Sequence, residues 1–356
     1  MTRMADPYRA GPSATDGEIA AINLESMRRR AWARFATAPG LPGAAEAVVD
    51  NERMATQFLG DLDALDRLEA LAARLAGAAP SFRAALIQAE VASMTHRFDD
   101  ARSHLARAAL LGGPGDEIAR HTLTIDQACG VDPDAVLAAR RTAAESGQLE
   151  DLVPLGAALA DLGRCSEADV VYRRALYAYD GLSPFPLAWA CFQLGMLWGE
   201  LARAPDPDLA TLWYRRAIAY LPGYVKARVH LAEICASQDR YGDAEALLRP
   251  ALSSTDPEVR WRLADVLTGQ GRLEEAQAQL GAARAGFDDL LGRHLLAFAD
   301  HAAEFYAGSG GDCRRALALA HANVANRPTR RALDQAHAIE ALADELLAER
   351  PSAVGG

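Results

Sequence analysis

An all-α solenoid of tandem helical hairpins is the fold class this sequence predicts, and three observations predict it. The first is a near-repetition. Leu155-Gly156-x-x-Leu159, followed by Ala168-x-x-x-Tyr172-x-x-Ala175-Leu176, returns as Leu194-Gly195-x-x-Trp198, followed by Ala210-x-x-x-Tyr214-x-x-Ala217-Ile218 and Pro222. A large–small pair on one helix leaves a hole that the aromatic and Ala of the next helix fill, and the small residue lets the two backbones approach. The second is a period: Ala101, Ala135, Ala168, Ala210, Ala244, Ala276 and Ala316 are 34, 33, 42, 34, 32 and 40 residues apart. The third is composition. Ala and Leu dominate, aromatics are 6%, and β-branched residues seldom cluster, so the bias is helical.

Taken in order, residues 1–14 carry Pro7, Gly11 and Pro12 without periodicity and read as a flexible tail. Asp16 can cap a helix bearing Ile19, Ile22, Met27, Ala31 and Phe35, stopped by Pro39-Gly40. A second helix follows Pro42-Gly43 and ends near Phe58; a third carries Leu62, Leu65, Leu68, Leu71 and Leu75 on one face. Residues 15–79 are thus expected to be an N-terminal helical cap or degenerate repeats. From Pro80 the period is visible, first in a helix from Phe82 to Met94, the turn His96-Arg97-Phe98, and Ala101-x-x-x-Leu105-x-x-Ala108. A weaker unit has helices near 115–128 and 132–145. After the two strong copies come Leu231-Ala232 with Ala244 to Leu252, then Leu263-Ala264 with Ala276 to Ala283. The two long intervals mark insertions, one at 180–186 and 204–208, the other a longer helix from Leu290 to Tyr306 with Gly308 to Gly311. A charged amphipathic helix from Thr329 to Arg350 is expected to cap the exposed end, with 351–356 as a second flexible tail.

The repeated pattern resembles the tetratricopeptide (TPR) signature, W-x2-L-G-x2-Y, then A-x3-F, then P, in units of about 34 residues. The resemblance covers roughly 80–328 and is strongest over 150–285. It implies a right-handed superhelix of about eighteen helices in which the first helix of each pair lines a concave groove. It further implies a non-catalytic scaffold or adaptor that binds a protein or peptide segment there.

The residues flanking each Leu–small pair are then the candidate partner-binding set. They are Trp189, Phe192, Gln193 and Met196; Lys226, His230 and Glu233; and Trp261, Arg262 and Asp265. Earlier units offer Arg83, Ile87 and Glu90, then Val153, Ala157 and Asp161. Aromatics with Arg and Lys in a groove are what a binding hot spot uses, and equally Trp fills solenoid cores. Lys226 and Arg262 occupy places comparable to those that clamp a C-terminal carboxylate in some TPR domains, but the matching Asn is absent. A second reading is a small-molecule or peptide sensor, with the insertions near 180–186 and 201–209 folding over the groove as a lid.

Other chemistry finds little support. Gly308-Ser309-Gly310-Gly311 lacks the Gly-Lys-Ser/Thr of a phosphate loop and reads as a turn. His294, His301 and Glu304 are spaced to share a helix face and could seat a metal, the third reading being a metal-dependent helical-repeat enzyme, yet no Cys or second carboxylate converges in sequence, and a packed or solvated face is preferred. No catalytic residue, cofactor or metal site is expected. A net charge of −11 opposes binding to nucleic-acid phosphate and to anionic membranes. Arg28-Arg29-Arg30-Ala31-Trp32-Ala33-Arg34 stands out locally and reads as a solvated face, with docking of an acidic partner as the functional version. Five cysteines form no C-x-x-C, and no apolar run opens the chain or approaches a membrane span, so a reduced, cytoplasmic protein is expected.

Overall fold

The computed structural model describes residues 11–77 and 79–348, so the tail expected at 351–356 and most of that at 1–14 lie outside the described residues. Within them the secondary structure is helical throughout: α1 (Gly17–Thr37), α2 (Ala44–Leu59), α3 (Ala64–Ala76), α4 (Phe82–Met94), α5 (Phe98–Leu110), α6 (Gly115–Cys129), α7 (Pro133–Ala143), α8 (Leu149–Asp161), α9 (Cys165–Ala178), α10 (Pro184–Met196), α11 (Pro207–Tyr220), α12 (Val225–Ser237), α13 (Tyr241–Leu248), α14 (Pro257–Gly269), α15 (Leu273–Ala307), α16 (Cys313–Asn326) and α17 (Arg330–Ala348). The predicted all-α class is what the chain adopts. Asp16, Ser81, Asp132, Asp206 and Asp312 each cap a helix by accepting a backbone N–H.

The repeat unit is a hairpin whose two helices lock through volume. Gly156 on α8 faces the ring of Tyr172 on α9, and Gly195 on α10 faces Tyr214 on α11; a Cβ at either glycine would lie 2.4 Å from the Tyr Cε1. Tyr172 and Tyr214 are almost fully buried, as are the Ala168 and Ala210 that precede them by one turn. Gly195→Ala is therefore expected to cost about 1–3 kcal/mol by overpacking. Tyr214 cannot yield, because its ring is hemmed in by Phe192 at 5.7 Å and His230 at 5.7 Å between centroids. Denaturant unfolding of the variant measures this, and a midpoint equal to wild type would show that the glycine is not closely packed.

Four of the turns inside hairpins share a device that the motif does not contain. A residue in the left-handed region (His96, Gly163, Asp239 or Gly271) is followed by Arg97, Arg164, Arg240 or Arg272. The backbone N–H of each Arg bonds to the carbonyl five residues back, at 2.8–2.9 Å. Each guanidinium then pairs with the acid three residues on: Asp100, Glu167, Asp243 and Glu275. The turn closes the first helix, and the acid sits in the first turn of the second helix, where its charge suits the helix dipole.

The described residues divide into two compact units, 11–77 with 132–262 and 79–131 with 263–348. In the first, α7 to α13 pack in sequence order, each against the next. The segment read as an N-terminal cap or degenerate repeats lies along the rim formed by the connections between hairpins. Thr15 N–H bonds to Leu182 O, Tyr220 Oη donates to Pro12 O, and Thr255 N–H bonds to Gly60 O. Phe58 of α2 packs on Phe185 and Tyr224, with ring centroids 5.1 and 5.0 Å apart. In the second unit α4 to α6 belong with α15 to α17: His96 Nδ1 lies 3.1 Å from Leu296 O, and Asn326 Nδ2 donates to His96 O. The array expected over 80–328 is thus distributed over both units.

Two elements differ from the sequence reading. The helix read as Leu290–Tyr306 is broken at His294 (φ −139°, ψ 54°), so that 273–293 extends the preceding helix and 295–307 forms the next. Gly292, two residues earlier, weakens helix there. The run from Ala244 to Leu252 is α-helical only to Leu248 and then tightens into a 3₁₀ turn, because Pro250 has no N–H to continue the ladder.

Candidate functional site

The expected partner-binding residues fall on the first helices α10, α12 and α14, and the structure separates them into three groups. Phe192, Met196 and Trp261 are buried. Phe192 joins an aromatic cluster with Tyr214, Tyr224 and His230, at centroid distances of 5.7, 5.2 and 5.4 Å. Trp261 lies under the guanidinium of Arg262, 3.6 Å from its ring centroid. These three side chains build the hairpins.

His230, Glu233 and Arg262 form a second group, a charge network. His230 Nδ1 is 2.7 Å from Glu200 Oε1 and 3.3 Å from Glu233 Oε2. Arg262 pairs with Glu233 at 2.5 Å and lies 3.5 Å from Glu258. Glu200, which the motif does not single out, is delivered by a wide π-type turn, Leu197–Leu201, at the end of α10. Asp265, further along α14, accepts a hydrogen bond from Ser309 Oγ at 2.6 Å.

Burial alone would push the His230 imidazole down, but the adjoining Glu200 and Glu233 carboxylates outweigh it and hold the ring up at about 10. A histidine that holds its proton more tightly when folded contributes stability that is full below its unfolded value of 6.5 and is lost as pH rises through the folded one. Melting temperature is therefore expected to fall between about pH 6.5 and 10, and His230→Gln should flatten that slope. Parallel slopes for the two proteins would remove His230 as the cause.

Trp189, Gln193 and Lys226 make the third group and are half-buried. Trp189 and Lys226 hold equivalent places, each five residues before the Leu of a Leu–small pair, Leu194 and Leu231. Lys226 is the chain's one lysine among 37 Lys and Arg residues. No ion pair engages it among the described residues, whereas Arg262, its partner in the carboxylate-clamp reading, is committed to Glu233 and Glu258.

His301 and Glu304 line a small polar pocket of roughly 60 Å³ with Asp300, Asn323, Arg327 and Gln335, while His294 is buried at the break in α15 and does not line it. Asp300 is tied to Arg327. Despite its burial, Asp300 is held down at about 2 by the neighbouring His301 and Arg327. Among the described residues no cluster of three or more His, Cys, Asp and Glu could hold a metal ion. The basic run of α1 does not form one solvated face. Arg28 turns inward to Glu52 and Asp61, at 2.9 and 2.7 Å, and Trp32 Nε1 donates to Glu52 at 2.6 Å. The five cysteines are unpaired, three of them buried. No described helix is long and apolar enough to cross a membrane.

The glycine–aromatic hairpins and their repeated motif resemble those of the tetratricopeptide-repeat proteins. No family model matches it. It is similar to anaphase-promoting complex subunit 7 of Mus musculus, 30% identical over 175 residues, which are 41% of this chain and 31% of that protein. The chain thus spans about a third of the length of that curated relative. Its fold is also similar to the crystal structure of the APC/C hetero-tetramer Cut9–Hcn1 (14% identity, 91% of this chain and 70% of that one, TM-score 0.46). A further likeness is to the C-terminal part of a TPR repeat-containing protein of Cytophaga hutchinsonii (15% identity, 82% and 97% covered, TM-score 0.34).

Proposed function

We propose that this protein is a non-catalytic scaffold that binds a segment of a partner protein along its first-helix face, between Trp189 and Lys226. The observation that carries this reading is the contrast within that face. The charges of His230, Glu233 and Arg262 satisfy one another, whereas Lys226, beside them on α12, pairs with no carboxylate among the described residues. A cation held half-buried on a rigid helix favours a ligand carboxylate, and an aromatic at the equivalent place on the preceding first helix supplies apolar contact area. The similarity to a subunit of the anaphase-promoting complex supports an assembly role. We place the protein in the cytoplasm, in keeping with its unpaired thiols.

The test is capture from lysate of the source cell, comparing wild type with Trp189→Ala and Lys226→Glu, identified by mass spectrometry. A partner retained by wild type and lost from both variants, at unchanged helicity, is the expected result. A partner held equally by all three proteins moves the site off this face.

A further inference from the structure

The outer face of α1 is apolar at one end and basic at the other. α1 packs through Gly17, Ala20, Leu24, Ala31 and Phe35. On the opposite side, at helical spacing, lie Ile19, Ile22, Ser26, Arg29, Arg30, Ala33 and Arg34. Ile19 is 53% and Ile22 69% exposed, on a helix that already has a complete buried face. The bond from Thr15 N–H to Leu182 O brings a third apolar residue to the same end of the helix, and Leu182 is 71% exposed. Two turns further on the face becomes basic. The Arg30 side chain donates a hydrogen bond to the Ser26 carbonyl, and neither it nor Arg34 makes an ion pair among the described residues. Arg29 has a long contact to Glu25, 3.7 Å, with both side chains largely in solvent. The inward turn of Arg28 separates this surface from the internal cluster at Glu52.

We infer that this face docks an acidic amphipathic helix, one that presents two apolar residues a turn apart and, about two turns along, a pair of Asp or Glu residues. Apolar anchors at one end and uncompensated guanidinium groups at the other fix both the orientation and the sign of the partner. Guanidinium suits carboxylates because its planar fork matches them in two hydrogen bonds. An anionic lipid surface would also take basic and apolar residues. The peptide is favoured because the apolar part is three side chains wide and the chain as a whole carries a net charge of −11, which a charged membrane repels.

The probes are two helical peptides of one sequence pattern, Leu at the anchor positions and either Glu or Lys at the polar ones, titrated against the full chain by fluorescence anisotropy. The Glu peptide is expected to bind, to weaken as salt rises, and to lose affinity about tenfold with Arg30→Glu/Arg34→Glu, a change of about 1.4 kcal/mol. Ile22→Ser should weaken it independently. The Lys peptide should be rejected by wild type and accepted by the double-Glu variant. All substituted residues are exposed, so helicity and melting should stay at wild-type values. Failure of both peptides, equal affinity for the two, or indifference to the arginine changes each overturns the proposal. Retention on phosphatidylserine vesicles, with no binding of the Glu peptide, overturns it in favour of a lipid surface.

Discussion

Asp169→Ala is expected to destabilise the protein by about 3–5 kcal/mol, enough to consume much of the stability of a typical domain. Asp169 and Arg173 sit one turn apart on α9 and are 2% and 4% exposed, so neither charge has water to turn to. Arg173 Nε donates to Asp169 Oδ2 at 2.7 Å, and Trp198 Nε1 donates to Oδ1 at 2.9 Å. The guanidinium also lies 4.9 Å from the ring centroid of Trp213 on α11. The pair therefore ties α9 to the end of α10 through the carboxylate and to α11 through the guanidinium, and removal of the carboxylate leaves a cation buried without its counter-charge. Asp169→Asn keeps an acceptor for Trp198 but not the charge, and should fall between Ala and wild type. Replacing both members, as Asp169→Leu/Arg173→Met, should restore most of the loss, since an apolar pair of similar volume avoids the desolvation cost. Chemical denaturation of the four proteins tests the set. A loss under about 1 kcal/mol for Asp169→Ala would place the pair in the range of exposed ion pairs.

Glu52→Ala should cost about 3 kcal/mol for the same reason, and it adds a pH signature. Glu52 is 1% exposed and receives Arg28 at 2.9 Å, Arg67 at 2.9 Å and Trp32 at 2.6 Å. Burial would raise its carboxyl, but hydrogen bonds from Arg67, Trp32 and Arg28 hold it below the ordinary value. A depressed carboxyl contributes stability that is present above the unfolded value of 4.5 and lost as pH falls through the folded one. Wild type and variant should therefore converge in acid, and a gap that stays constant down to low pH would show that the carboxylate is not the origin of the loss. Asp61, which also contacts both arginines at 2.7 Å, limits the damage.

How much of this was legible in the sequence depends on how far apart the interacting residues lie. Gly156 with Tyr172, and Gly195 with Tyr214, are complementary volumes at a fixed spacing inside one hairpin, so the pattern revealed them directly. The place of α1 and α2 was not legible, because it rests on Phe58 meeting Phe185 and Tyr224, residues more than a hundred positions away and outside any period. Within the candidate site, the helix faces were readable and the charge balance was not. His230 looked available until Glu200 arrived from the preceding hairpin on a turn that no helical pattern marks. Arg28, one of three consecutive arginines, differs from its neighbours only in where helical rotation points it. The paired Arg and acid of the hairpin turns are present in sequence but carry no signal there, since residues of ordinary polarity gain meaning only from the left-handed neighbour that precedes them.

The solitary lysine has a practical consequence as well. Arginine does not react with amine-directed reagents at neutral pH, so an acylating label finds one side chain per molecule, at Lys226, besides the terminal amine. That side chain lies on the face proposed for the partner. A single mass increment, followed with and without a bound segment, thus becomes a footprint of occupancy that needs no engineered probe.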